Sequence, residues 1–264
     1  MRLERREVPS RVAMAAAPLA AVAVTLAACA LLVAWAGAPV GRTYALLFDG
    51  AFGSRFALTE TLTRATPLML TGLAAAVAFR ARFWNIGAEG QLYLGALAAV
   101  AVGGLHGGAG LDAPLPLLFA GMVAAGMAAG AALVAGPALL RGRFGVDEVV
   151  TTLLLNFIVL LFGAWMLDGP MKDPAAMGWP QSVGLNPELE FARLLEKSRV
   201  HTGLLWAIGL AAAAWAVQRF TTWGFEWRAV GASPEGPRVV GVPGGAAGVR
   251  AGLVSGALAG LAGG

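Results

Sequence analysis

Two long stretches without a single charged side chain, residues 12–41 and 114–140, constrain this chain more than any other feature. As helices rising about 1.5 Å per residue, each is long enough to cross a hydrocarbon layer of about 30 Å. A helix is suited to that medium because it pairs its own backbone polar groups. The composition agrees, with 58% hydrophobic and 13% charged residues and a mean hydropathy of +0.72. Soluble domains are not built this way. At the N-terminus, Arg2, Arg5, Arg6 and Arg11 precede an apolar run, which would also suit a cleaved signal peptide. The run is too long for that and further spans follow, so it reads as the first transmembrane helix.

A hydropathy window of about 19 residues places helices at 12–36, 66–82, 86–105, 114–140, 147–167, 202–220 and 246–264. The expected fold is therefore all-α, a polytopic membrane helical bundle of about seven spans. The net charge of +4 does not point to nucleic acid, because the basic residues punctuate the ends of apolar runs and do not cluster on a soluble face. With the N-terminus in the cytoplasm, the inner segments hold 12 of the 19 Lys and Arg residues and the outer ones, including Arg42, Arg55 and Arg64, hold 7. Much of the outer charge lies in the long loop 168–201, and long loops weigh little. The expected orientation is N-terminus inside. Cys29 is the sole cysteine, so no intramolecular disulfide forms, and its simplest role is that of a small buried hydrophobe. Pro/Gly-rich stretches such as 103–116 join helices without marking a boundary, and one membrane domain over 1–264 is expected.

Polar residues at membrane depth are costly and usually functional, and they concentrate in a few places. The stretch 79–95, FRARFWNIGAEGQLYLG, sets Asn85, Glu89 and Gln91 between two apolar runs. Asn85 suits an N-cap and Glu89 the first turn of the next helix, where a carboxylate favours the dipole. Equally, Gly87 and Gly90 could keep this backbone irregular within the bilayer, turning Asn85, Glu89 and Gln91 toward a polar cavity. In VDEVVTTLLLN, 146–156, Asp147 and Glu148 start a helix, while Thr151 and Thr152 can bond back to it. Asn156 lies about two turns inside the apolar run, where an amide wants an interhelical or ligand partner.

Two further patterns stand out. Glycines recur every fourth residue at Gly244, Gly248, Gly252, Gly256, Gly260 and Gly264, a small-xxx-small face that lets another helix approach closely; Gly126 and Gly130 offer a shorter example. The pattern runs to the final residue, so the chain is expected to be the N-terminal portion of a longer protein. The stretch 219–243, basic, aromatic and broken by Gly and Pro, reads as a short surface helix offered to a partner. Trp223, Phe225 and Trp227 would suit a membrane interface, and Ser233-Pro234-Glu235 is a helix-start signal.

NIGAEGQLYLGA at 85–96, the preceding ATPLMLTGLAAAVAF at 65–79, DEVVTTLLLNFI at 147–158, WRAVGASPEGPRVVGV at 227–242 and SGALAGLAG at 255–263 resemble the transmembrane permease subunits of ABC importers. The resemblance is to the ribose and branched-chain amino acid permease superfamily, in its simple sugar and nucleoside branch, and covers about 60–264. It implies a type II-like importer permease in a bacterial inner or cell membrane. It also implies pairing with a second, often different permease subunit, a cytoplasmic ABC ATPase that binds the ATP and Mg, and an extracellular or periplasmic solute-binding protein. No cofactor is expected in this chain. The resemblance makes a coupling loop of about 221–243, with Arg228, Ala229, Gly231, Ser233, Pro234, Glu235, Arg238 and Gly241 facing the ATPase. Gly236-Pro237 departs from the family there, and Pro237 would shorten the coupling helix. Asn85, Glu89, Gln91 and Asn156 would line or brace the solute path, and Gly244, Gly248, Gly252, Gly256 and Gly260 would pack helices. Purine nucleosides are the favoured solute, with riboflavin-like compounds and simple sugars as alternatives.

An intramembrane enzyme fits poorly. His106 and His201 do not form an HExxH pair, Ser255 has no intramembrane histidine, and Glu89 stands almost alone among embedded acids. An ATP-independent channel fits the helix count but not the ordered basic aromatic loop. No catalytic or metal site is expected.

Overall fold

The computed structural model describes residues 10–104, 113–232 and 244–264. The chain divides into two compact units, Met1–Thr61 and Leu62–Gly264. In the first, α1 (Arg11–Trp35) and α2 (Val40–Phe52) are joined by a turn in which Gly37 takes a left-handed conformation, φ 77°. Gly37 N donates to Ala34 O and Ala38 N to Val33 O, the bond pair that satisfies orphan carbonyls at a helix end. Tyr44 Oη donates to Leu26 O at 2.6 Å, tying α2 to α1. Cys29 is exposed on α1 and not buried as expected, since apolar side chains of a membrane helix can face lipid instead of protein.

Helix α3 (Arg55–Arg80) starts eleven residues before the expected 66, and the short α2 was not expected. Hydropathy alone stops at charges such as Glu60 and Arg64, whereas the backbone follows the cap: Ser54 Oγ accepts from Ala57 N at 3.0 Å. Arg55 and Arg64 therefore lie within a helix and not in an outer connection.

The second unit continues with α4 (Ala88–Gly103), α5 (Leu115–Phe144), α6 (Glu148–Asp168), a single 3-10 turn at Pro187–Leu189, α7 (Gly203–Phe220), α8 (Thr222–Ala232) and α9 (Gly244–Gly263). Among the described residues six helices are long and apolar enough to cross a membrane. The expected span at 86–105 is α4, which at 16 residues is only about 24 Å long. Its shortness has a cause upstream. Arg82, at φ 52°, ends α3 with Arg82 N donating to Phe79 O and Phe83 N to Ala78 O, and the buried Phe83 packs on Ala78, so the chain leaves the helix and re-enters one only at Ala88.

Two more local signals shape the site. Gly145, at φ 67°, closes α5 with Arg141 and Arg143 in its last turn, where cations complement the dipole. Asp147 caps α6 by accepting from Val149 N at 2.8 Å. At the core, α9 packs on α4 and α5, and α6 packs on α4. Helix α8 spans Thr222–Ala232, so it starts six residues before the expected Arg228, with Thr221 Oγ1 accepting from Gly224 N at 3.3 Å. Trp227 is no interfacial aromatic: it is 2% exposed, in a core cluster with Ala74, Val77, Ala81, Ala247 and Ala251. Trp223 and Phe225 are exposed.

Candidate functional site

The non-helical backbone between α3 and α4 is a stretch of unpaired donors set among apolar helices, where each unsatisfied group would cost several kcal/mol (roughly, for hydrocarbon). One face of α6 supplies their acceptors. Glu148 Oε1 accepts from Trp84 N at 3.1 Å, Thr152 Oγ1 from Ile86 N at 3.2 Å, and Asn156 Oδ1 from Gly90 N. Residues four apart share a helix face, so the three acceptors form a ladder matched to successive donors. Gly90 N is one of the orphan donors of the first turn of α4, and Asn156 caps it from another helix. Thr152 also donates to Glu148 O at 2.6 Å, which fixes its hydroxyl lone pairs toward Ile86.

Close approach makes the ladder possible. A Cβ at Gly87 would overlap the carbonyl of Thr152, and one at Gly90 would press on the Cα and Oδ1 of Asn156. The two glycines thus let α6 lie against the backbone itself.

The other side of the break is closed by amides. Asn85 and Gln91 exchange two hydrogen bonds, Nδ2 to Oε1 and Nε2 to Oδ1, each at 2.9 Å. Asn85 Nδ2 also donates to Ser255 Oγ of α9 at 3.0 Å, and Asn85 Oδ1 accepts from Gly87 N at 3.1 Å. Asn85 is therefore not the N-cap of α4. That position is Gly87, because the amide of Asn85 is committed to Gln91 and Ser255.

The four residues singled out for a path differ in setting. Asn85, Gln91 and Asn156 are 3%, 1% and 5% exposed and spend their polar atoms on the break and on one another. Glu89 lies in the first turn of α4 and is exposed. Its Oε2 accepts from Asn156 Nδ2 at 3.2 Å. A cavity of about 850 Å³ lies elsewhere, walled by α3 (Thr63, Thr66), α5 (Phe119, Met127), α9 (Leu258, Leu261) and by Glu190, Arg193 and His201 ahead of α7. None of the four lines it.

Glu148 holds more than a helix start. It is 7% exposed and pairs with Arg141 Nη1 at 2.7 Å, whose guanidinium lies 5.5 Å from the centroid of Phe83. This ties the α5–α6 turn to the end of α3. Ser255 was likewise missed as a polar partner. The signal for it was a lone hydroxyl in a helix whose other residues, Arg250 apart, are Gly, Ala, Leu and Val.

The glycine stripe is used unevenly. Side chains at Gly256 and Gly260 would overlap the carbonyls of Gly130 and Gly126 on α5, and Gly95 of α4 meets the carbonyl of Gly260. Gly252 faces the ring of Phe83, whereas nothing lies within 4 Å of a Cβ at Gly248. Of the coupling residues, Arg228, Ala229 and Gly231 lie in α8. Ser233, Pro234, Glu235, Arg238 and Gly241 lie outside the described residues, as does His106.

Residues 57–264 match the family described as branched-chain amino acid transport system / permease component. The chain is similar to the guanosine ABC transporter permease protein NupP of Bacillus subtilis (strain 168), 36% identical over 93% of this chain and 70% of the relative. It is similar to the glucose ABC transporter permease protein TsgB13 of Haloferax volcanii, 37% identical over 90% of this chain and 63% of the relative. A third relative, the nucleoside ABC transporter permease protein NupB of Lactococcus lactis subsp. cremoris, is 32% identical over 83% of this chain and 61% of the relative. The chain thus spans between 61% and 70% of the length of these relatives. No solved structure matches it.

Proposed function

Because the chain belongs to the branched-chain amino acid transport system permease family, we propose that it is the membrane permease subunit of an ATP-driven importer for nucleosides, purine nucleosides first, or simple sugars. The observation that carries this is the family match over 57–264 on a chain with six membrane-length helices among its described residues. The names of the relatives, guanosine, nucleoside and glucose permeases, support the solute class. The chain itself is a multi-pass membrane protein; the N-terminus lies in the cytoplasm in this reading.

In the mechanism, a partner ATPase closes on ATP, the coupling loop of about 221–243 receives that motion, and packed helices rock between inward-open and outward-open arrangements. A second permease subunit and a solute-binding protein complete the system. The ladder on α6 and the amide pair brace the break between α3 and α4 so that it moves as a rigid piece. Glu89, exposed beside that brace, is the member of the set that meets solute.

The test is uptake of labelled guanosine, with glucose and ribose in parallel, by cells carrying the full-length gene and its co-encoded partners, with the ATPase intact or inactivated. Uptake of guanosine that disappears with the ATPase supports the reading. Uptake that survives its inactivation refutes ATP coupling, and uptake of a sugar alone changes the solute.

A further inference from the structure

Helix α8 is joined to α9 by a charged contact. Arg250 Nη2 of α9 donates to Glu226 Oε2 of α8 in an ion pair whose side chains are 34% and 21% exposed. The same guanidinium lies 5.9 Å from the centroid of the Trp223 ring, and its Nε donates to Ala246 O at 3.4 Å. A cation held by a carboxylate, an aromatic face and its own helix carbonyl has little freedom to swing away.

One position along α8, Trp227 is buried against α3 and α9. A Cβ at Gly231 would overlap the carbonyl of Arg80, so α8 lies directly on the end of α3. The chain leaves α8 at Ala232 and enters α9 at Gly244, and the two charged residues stand 24 apart on either side of that connection.

We propose that Glu226 and Arg250, backed by Trp223, are positioning residues that make α8 and α9 move as one body, so that a displacement delivered near α8 reaches the glycine-packed α9. The proposal rests on the importer reading. Apolar packing such as that of Trp227 on Ala247 and Ala251 is non-directional and lets two helices slide, whereas a charged pair fixed between them holds their register. A partly exposed ion pair adds little to stability, so the pair is free to serve transmission without being needed for folding.

The experiment uses the full-length protein with its co-encoded partners in proteoliposomes, and reads guanosine and glucose taken up per ATP hydrolysed. Glu226→Gln and Arg250→Gln each lower that ratio by about tenfold or more while the amount of assembled complex and its ATP hydrolysis persist. The exchanged pair, Glu226→Arg with Arg250→Glu, recovers the ratio to within about threefold. Should a neutral variant fail to assemble, Glu226→Asp, which keeps the charge and shortens its reach, carries the same expectation. A ratio unchanged in the single variants, or an exchanged pair as low as the singles, overturns the proposal. Wild-type vesicles with no ATP-dependent uptake of either solute refute the importer reading and the proposal with it, an outcome distinct from working wild type and unaffected variants.

Discussion

Helix α4 is held on two sides by opposite means. Toward α6 the seam is polar, with Glu148, Thr152 and Asn156 receiving the backbone donors of Trp84, Ile86 and Gly90. Toward α9 the seam is made by absence, since Gly95 and Gly260 bring two backbones into contact. Lipid supplies no hydrophobic drive between helices, so attachment must come from hydrogen bonds or from close packing. The difference follows the backbone. Where the helix is broken, donors need acceptors; where it is continuous, all donors are satisfied and only shape remains to be matched.

The largest effect of a single substitution is expected at the glycine seam. Gly260→Leu places side-chain atoms into the carbonyl of Gly126 and against Gly130, and backbones cannot yield as a side-chain tip can. Overpacking of this kind costs about 3 kcal/mol or more, and folded protein recovered in mild detergent, measured by size-exclusion fluorescence, should fall by about tenfold. Recovery equal to wild type would mean that α9 does not cross α5 there.

On the polar seam, Asn156→Leu keeps the branched shape of the side chain and leaves Gly90 N without its acceptor. The expected loss is about 1–3 kcal/mol, seen as a lower thermal midpoint. Thr152→Val, which removes the acceptor for Ile86, should cost about 1 kcal/mol by the same reasoning, nearer the modest values of hydrogen bonds in membranes. Loss of stability ordered the other way would show that the ladder is not what holds α4.

Glu89→Gln separates bracing from transport. It preserves an oxygen for Asn156 Nδ2, so the stability should stay within about 0.5 kcal/mol of wild type while guanosine uptake changes by several-fold. Normal uptake would remove Glu89 from the mechanism. The smallest effect is expected at Gly248→Ala, where a Cβ meets nothing within 4 Å. The substitution should be neutral or stabilising by about 1 kcal/mol or less, as Ala favours helix over Gly. A clear destabilisation there would extend the packed seam along the whole stripe.

Much of this was legible in the residues. The charge-free runs gave the membrane spans, and the motif around Asn85 marked the broken backbone through its clustered Asn, Glu, Gln and two glycines. The four-residue spacing of Glu148, Thr152 and Asn156 was equally visible, but only Asn156 stood out, because acids and threonines near a helix start already have local uses. Helix ends were less legible: Ser54 extended α3 past charges that hydropathy avoids, and Arg82 adopted a left-handed conformation that glycine usually signals. Trp227 read as interfacial because aromatic residues suit both a belt and a core.

By itself the sequence determined the membrane class, the approximate spans, the family and which groups would need partners, since the cost of an unpaired polar atom or an added side chain is a property of the residue and its medium. Only the tertiary structure decided who those partners are. Asn85 reaches Ser255 across 170 positions and Asn156 reaches Gly90 across 66, and along the stripe Gly252, Gly256, Gly260 and Gly264 meet a neighbour closely whereas Gly248 does not. The physical reason is that a helix presents its whole circumference to choice, and the packing of its neighbours selects which face is spent.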